Sequence, residues 1–151
     1  MKTLLLALFA GLLPALAGNA FAQGSGQYIS NDLQKLSFEE LHAKCENDTT
    51  GDALYEMSTR YMMGFRGADK DIQLALIYMN RAADQGHCKA LKFAGSYTEN
   101  GDERDAFYGT PCDFYEKVVL NDCPNRYEHY ERYGCEMKHK TYNQLGVPGP
   151  E

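Results

Sequence analysis

Two histidine and cysteine spacings are the first places in this sequence to look for chemistry. Cys135 and His139 stand at i, i+4 on a segment that reads as helix, with His129 earlier on the same segment, and His42 with Cys45 repeats the association. One helical turn puts such side chains on one face, where a thiolate and an imidazole can share a metal ion. A site needs three or four ligands, and no others are evident, so a disulfide cysteine beside an exposed histidine is the favoured reading and no metal ligand is assigned. The acidic pairs Glu39-Glu40 and Asp102-Glu103 have the residue types for acid–base work. They fall at a helix start and in a turn, where charge caps or solvates. A glycine-rich phosphate loop and a Gly-x-Ser-x-Gly elbow are both missing, and the chain beyond its leader has no Ser-x-x-Lys. The expectation is of no catalytic residue, no cofactor and no metal.

The first 22 residues read as a secretory signal: Lys2, an apolar run over 4–13, Pro14, and Ala20-Phe21-Ala22 as a cleavage site before Gln23. The run is too short to span a bilayer, and Asn19 stands where an acylated cysteine would follow Leu16-Ala17-Gly18. The expected product is soluble and exported, without a membrane anchor. Taking the 22 residues from 151 leaves 129, enough for one domain, and losing Lys2 moves the formal charge from −6 to −7. An acidic chain without a basic stripe is a poor nucleic-acid binder and would be steered toward a basic protein partner. Simple solubility explains the charge equally well.

An oxidising compartment permits disulfides among Cys45, Cys88, Cys112, Cys123 and Cys135, and the odd count leaves one unpaired. If 111–120 is helical, Cys112 and Cys123 lie roughly 16 Å apart at a rise of 1.5 Å per residue, too far to bridge. The same objection meets Cys123 and Cys135 if the segment between them is helical. Antiparallel helices about a turn near Asp122 would instead bring Cys112 to Cys135, and Cys45 can pair with Cys88 across adjacent helices.

The elements that must position these residues are helices. Over 52–86, Ala53, Met57, Tyr61 and Gly64 share one face of a first helix, and Ile72, Ala75, Leu76, Met79, Ala82 and Ala83 share one face of a second. Asp71 is the expected N-cap and Gly86 the expected C′ residue. The alanines let two helix backbones approach closely while Tyr61 and Tyr78 fill the space between. A shift of 37 positions carries Ala53 onto Ala90 and Gly64 onto Gly101, so a second copy begins where the first ends. In that copy Asp105-Ala106 is one start for the second helix, but Gly109-Thr110-Pro111 interrupts it, and Thr110-Pro111-Cys112-Asp113 is the better start. Before the repeats, 23–36 reads as a flexible leader, and Ser37-Phe38-Glu39-Glu40 is a capping box for a helix through Cys45, with Phe38, Leu41 and Cys45 on one face. Asn47-Asp48-Thr49 matches a glycosylation sequon, which matters only in a eukaryotic secretory pathway. After the repeats, a tyrosine-rich helix from Cys123-Pro124-Asn125 to about His139 offers Tyr127, Tyr130, Gly134 and Met137 to cover the second unit, and 143–151 reads as a disordered tail.

The segments Met57-Ser58-x-x-Tyr61-x-x-Gly64, Asp71-x-x-x-Ala75-x-x-Tyr78 and Arg81-Ala82-Ala83-Asp84-Gln85-Gly86 resemble the Sel-one-like repeat, a tetratricopeptide-like helical hairpin. Ala90, Ala94-Gly95 and Gly101 carry the resemblance weakly into the second copy, where Thr98 stands at the tyrosine position and Tyr97 one place early. Met57-Ser58 replaces the family's usual Leu-Gly, and the inter-helix turn is one residue longer. The resemblance implies an all-α, short right-handed α-solenoid of about two repeats over 37–142: repeat one at 52–86, repeat two at 87–121, and a C-terminal cap at 122–142. Cysteine-rich members pair a cysteine in the Ala-Ala-like segment with one eight residues later. Those positions here are Ala83 and Leu91, so that pattern does not transfer.

In the family, first helices line a concave face. On this chain that face would carry Glu56, Arg60 and Met63 with Phe93 and Tyr97, residue types enriched at interface cores. Phe93 packing beneath the terminal helix is the alternative. The resemblance implies a non-catalytic, protein-binding role in a bacterial periplasm, with secretion the second choice. Adaptor, regulator and inhibitor all fit, including an immunity protein against a periplasm-acting toxin. Some cysteine-rich relatives have been described as penicillin-binding or β-lactamase-like, so the competing class is a cell-wall or β-lactam-acting enzyme.

Overall fold

The computed structural model describes residues 31–100 and 107–150. The signal sequence with its cleavage site, the leader as far as residue 30, Gly101, the Asp102-Glu103 pair and the Asp105-Ala106 start lie outside the described residues. The fold is all-α, with no strand among the described residues. No helix among them is long and apolar enough to cross a membrane.

Nine helices are described: α1 (Asn31–Lys35), α2 (Phe38–Glu46), α3 (Asp52–Met63), α4 (Ile72–Asp84), α5 (Cys88–Glu99), α6 (Pro111–Leu120), α7 (Arg126–Arg132), α8 (Cys135–Lys138) and α9 (Tyr142–Leu145). From α2 to α8 each packs on its neighbour in sequence, so α3/α4 and α5/α6 form two hairpins joined where α4 meets α5. Their ends follow local chemistry. Ser37 with Glu40 and Thr110 with Asp113 form reciprocal capping boxes, and Pro111 opens α6. Asp71 accepts from Leu74 N–H at the start of α4. At its end Gly86 N–H donates to Ala83 O and His87 N–H to Ala82 O, a Schellman closure with Gly86 at C′.

The apolar faces meet in one core. Leu41, Leu54 and Met57 from the first half and Leu91, Phe114, Val118 and Val119 from the second are almost wholly withdrawn from water. Each contributes on the order of 1.5–3 kcal/mol. Within the first hairpin Ser58 Oγ donates to Ala75 O across 2.7 Å, and the Tyr61 and Tyr78 rings stack at 5.6 Å. The 37-residue shift also carries Ser58 onto Gly95 and Tyr78 onto Tyr115. In the second hairpin those two meet directly: a Cβ at Gly95 would lie 2.3 Å from the Tyr115 ring.

Several expectations need correction. Residues 31–35, expected to be flexible leader, are helical, with Leu33 buried in the core. The terminal helix does not run unbroken to His139. Gly134 takes φ +71 and separates α7 from α8, turning buried Cys135 toward Cys112. Met137, expected to cover the second unit, is 90% exposed. The described part of the tail, 143–150, departs from the expected disorder: 142–145 is helix, Val147 packs on the core, and Tyr127 Oη donates to Pro148 O at 2.5 Å.

The disulfides join Cys88 to Cys123, with Cα atoms 5.6 Å apart, and Cys112 to Cys135, at 5.5 Å. The second is the pairing expected from antiparallel helices; the first corrects the expected Cys45–Cys88 bridge. In an antiparallel hairpin the start of α5 lies beside the end of α6, which delivers Cys123 to Cys88. Cys45 is buried on α2 as a free thiol. Two disulfides accord with an oxidising, exported compartment.

Two measurements check this packing. Non-reducing peptide mapping should return the 88–123 and 112–135 bridges, with one thiol that reacts only after unfolding. Gly95→Ala should cost about 1–3 kcal/mol in urea denaturation, because the added methyl has no space beside Tyr115.

Candidate functional site

The five residues expected on a concave face do not form one surface. Glu56 and Arg60 are buried. Arg60 Nε donates to Glu56 Oε1 at 3.1 Å, and its Nη2 donates to Leu33 O at 3.1 Å and Leu36 O at 3.0 Å. Arg66 Nη1 lies 3.7 Å from the same Glu56 oxygen and donates to Gln34 O. These charges clamp α1 and the turn after it onto α3, which corrects their assignment to a partner. On sequence alone, a Glu–Arg pair one turn apart reads as a solvated helix face; α1 supplies the cover that buries it.

Met63 is exposed at the end of α3. Phe93 and Tyr97 are half-buried, stacked at 5.7 Å, and each sits edge-on to the buried Phe107, which in turn meets Phe114. The aromatic pair is thus the outer rim of the second hairpin's core rather than a free anchor.

The structure does assemble a largely polar cleft, with two exposed apolar side chains in its lining, on the other helix of the first hairpin. Gln73, Leu76, Ile77, Asn80, Arg81 and Asp84 of α4 line it together with Tyr108 from the α5–α6 connection, enclosing about 240 Å³. Ile77 is 55% and Tyr108 88% exposed, and Ile72 is also exposed at the start of α4. The rim is polar: the Arg81 guanidinium lies 5.4 Å over the Tyr78 ring, and Asp84 is 3.9 Å from Lys117 of α6. Ile77 and Tyr108 are exposed apolar side chains set among polar and charged ones, a mixed surface that a protein contact can cover. The sequence carried one sign of it, Ile77 lying off the buried stripe of α4; Tyr108 enters only through the fold.

The polar clusters are structural. A larger cleft of about 620 Å³ between α2 and α3 contains Glu40, Asp48 and Asp52. Asp48 accepts from Thr50 N–H, Thr50 Oγ1, Gly51 N–H and Leu54 N–H. It caps α3, whose own N-cap Gly51 has no side chain to do so. Burial pushes its carboxyl up, but those hydrogen bonds outweigh burial and hold it below the usual aspartate range.

Around Tyr115, the Oη bonds Glu99 at 2.5 Å and lies 3.3 Å from Ser96 Oγ, while the His129 ring stacks at 5.2 Å. Burial and the Glu99 hydrogen bond push the phenol up to about 12, so it stays protonated and serves as a strut rather than a base. His129 is lowered by burial and by Arg132, whose Nη2 lies 3.1 Å from its Nδ1.

Cys135 is spent in a disulfide and cannot join His139 on a metal. His139 Nε2 instead meets Glu116 at 2.5 Å and Asp113 at 3.7 Å. His42 is exposed near Phe38, and burial and Asp48 push the Cys45 thiol up to about 11, leaving it inert. Among the described residues no group of three or more His, Cys, Asp or Glu is arranged to hold a metal ion.

Comparison with known protein families, curated proteins and solved structures returns no match.

The clamp on α1 has a measurable strength. Arg60→Ala leaves Glu56 buried with only the more distant Arg66 and strips Leu33 O and Leu36 O of their donor. It should cost about 3–5 kcal/mol and expose α1 to limited proteolysis.

Proposed function

We propose that this chain is a non-catalytic protein-binding module of the bacterial periplasm, built on Sel-one-like repeats and acting as an adaptor, regulator or inhibitor of a partner. Immunity against a periplasm-acting toxin is one concrete form of that role. The repeat resemblance over 52–86 and the paired cysteines support the family and the compartment. The acidic balance of the chain favours a basic partner.

The observation that carries the reading is the cleft between α4 and Tyr108. Two large apolar side chains, Ile77 and Tyr108, face water together there within a charged rim. Tyrosine and isoleucine left uncovered side by side lose solvent-exposed area on docking, and Tyr is among the residues that dominate contact energies. The reading moves the contact from the first helices of the repeats to the outer helix of repeat one.

The test is affinity capture from periplasmic extract with the mature protein as bait. A stoichiometric protein should be retained by the parent and by Phe93→Ala, and lost by Ile77→Asp and by Tyr108→Asp, with the melting temperature of the two aspartate variants within about 2 °C of the parent, as expected for exposed sites. Turnover of a chromogenic β-lactam by the purified protein, abolished by a single side-chain change, would overturn it in favour of the enzyme class.

A further inference from the structure

His87 occupies the point where three helix ends converge. It is the N-cap of α5, its N–H closes the end of α4 on Ala82 O at 3.1 Å, and a Cβ at Gly51, the N-cap of α3, would lie 2.7 Å from its Cβ. The imidazole is buried, stacked on Tyr55 of α3 at 4.5 Å between ring centroids.

Its two nitrogens have different duties. Nδ1 accepts from Ala90 N–H at 3.3 Å, satisfying one of the free donors at the start of α5. The proton of the neutral ring therefore sits on Nε2, which faces Asp52 Oδ1 at 3.4 Å. A second proton has only Nδ1 to go to, and there it displaces the Ala90 bond and confronts a backbone N–H with an N–H. Protonation also places a cation at the N-termini of α3 and α5, where the helix dipoles disfavour it.

The groups around the ring do not cancel this. Asp52 of α3 and Asp48 of the preceding loop favour the charged form, Lys89 of α5 opposes it, Tyr55 and the Ala82 carbonyl of α4 complete the surroundings, and burial of the ring is the effect that outweighs the carboxylates. Both disulfides lie within the half that begins with α5, whereas neither reaches α1–α4. The covalent staples thus leave the α4–α5 seam to non-covalent packing and to this cap.

We propose that the seam between the two hairpins is an acid-sensitive joint, in which proton uptake by His87 removes the α5 cap and loosens α1–α4 from the stapled α5–α8 half. Burial, followed by Lys89, holds the imidazole at about 4, below its ordinary 6.5. Between these values the loosened seam binds a proton that the closed one refuses. The preference for the closed form is therefore complete above about pH 6.5 and is lost progressively as pH falls toward 4. Ile77 and Tyr108 lie on opposite sides of the seam, so opening would also split the cleft. That consequence rests on the binding role proposed above, while the joint itself does not.

Hydrogen exchange of the unreduced protein at pH 7, 5.5 and 4.5, corrected for intrinsic rates, tests it. Protection of α3, α4 and the Ala90 amide should fall on the order of a hundredfold across this range, because burial holds the imidazole at about 4 rather than its ordinary 6.5, while α6 and α7 keep theirs. His87→Asn retains a capping side chain that does not titrate and should flatten the profile. Equal losses in the parent and the variant would overturn the proposal. Should the variant not fold, the imidazole resonances of the native parent decide alone: titration at the ordinary 6.5 refutes the joint, and titration near 4 supports it.

Discussion

The fold depends on how closely two helix backbones can approach inside each hairpin. In the second, Gly95 leaves room for the Tyr115 ring to lie on the α5 backbone. In the first, the equivalent position is Ser58, whose hydroxyl reaches Ala75 O on α4. A hydroxyl buried without a partner would be a liability; here the hairpin supplies the acceptor. One position thus solves the same packing problem by absence of a side chain in one unit and by a hydrogen bond in the other. The tyrosine that fills the gap recurs with the period of the repeat, as Tyr78 and Tyr115.

From this common geometry the two halves diverge in what holds them. The α5–α8 half is stapled by Cys88–Cys123 and Cys112–Cys135, which limit the unfolded chain. The α1–α4 half relies on packing and on the Arg60 guanidinium, wholly buried and spread across Glu56 and the carbonyls of Leu33 and Leu36. A desolvated ion pair of this kind adds little net stability and is costly only when one member is lost. Its effect is to fix where α1 lies.

The same division shapes the surface. The first helices, α3 and α5, spend their polar and aromatic side chains on internal contacts: Glu56 and Arg60 on α1, Tyr55 on His87, Phe93 and Tyr97 on Phe107. The outer face of α4 stays open, with Ile77 and Tyr108 lining one cleft. The titratable clusters bind the fold to itself. Asp48 caps a helix, Glu116 ties His139 and Lys140 to α6, and Tyr115 braces Glu99 against α6.

Residue spacing alone was sufficient for the elements whose signals are local. The helices of both hairpins, the capping boxes at Ser37 and Thr110, the N-cap at Asp71 and the turn at Gly86 depend on neighbours within one or two turns, and that information lies in the chain order. The Cys112–Cys135 bridge was legible for a related reason, since antiparallel helices about a short turn restrict which cysteines can meet. The fold alone decided the rest. Whether Glu56 and Arg60 face a partner or the core depended on α1, a five-residue helix too short to announce itself. Cys88 met Cys123 rather than Cys45 because hairpin pairing sets the start of α5 against the end of α6. Residues 146–150 cannot continue a helix, yet they are ordered against Tyr127 and Tyr142. Burial and pairing at long range are properties of what comes to lie on top of a residue, and no local pattern encodes that cover.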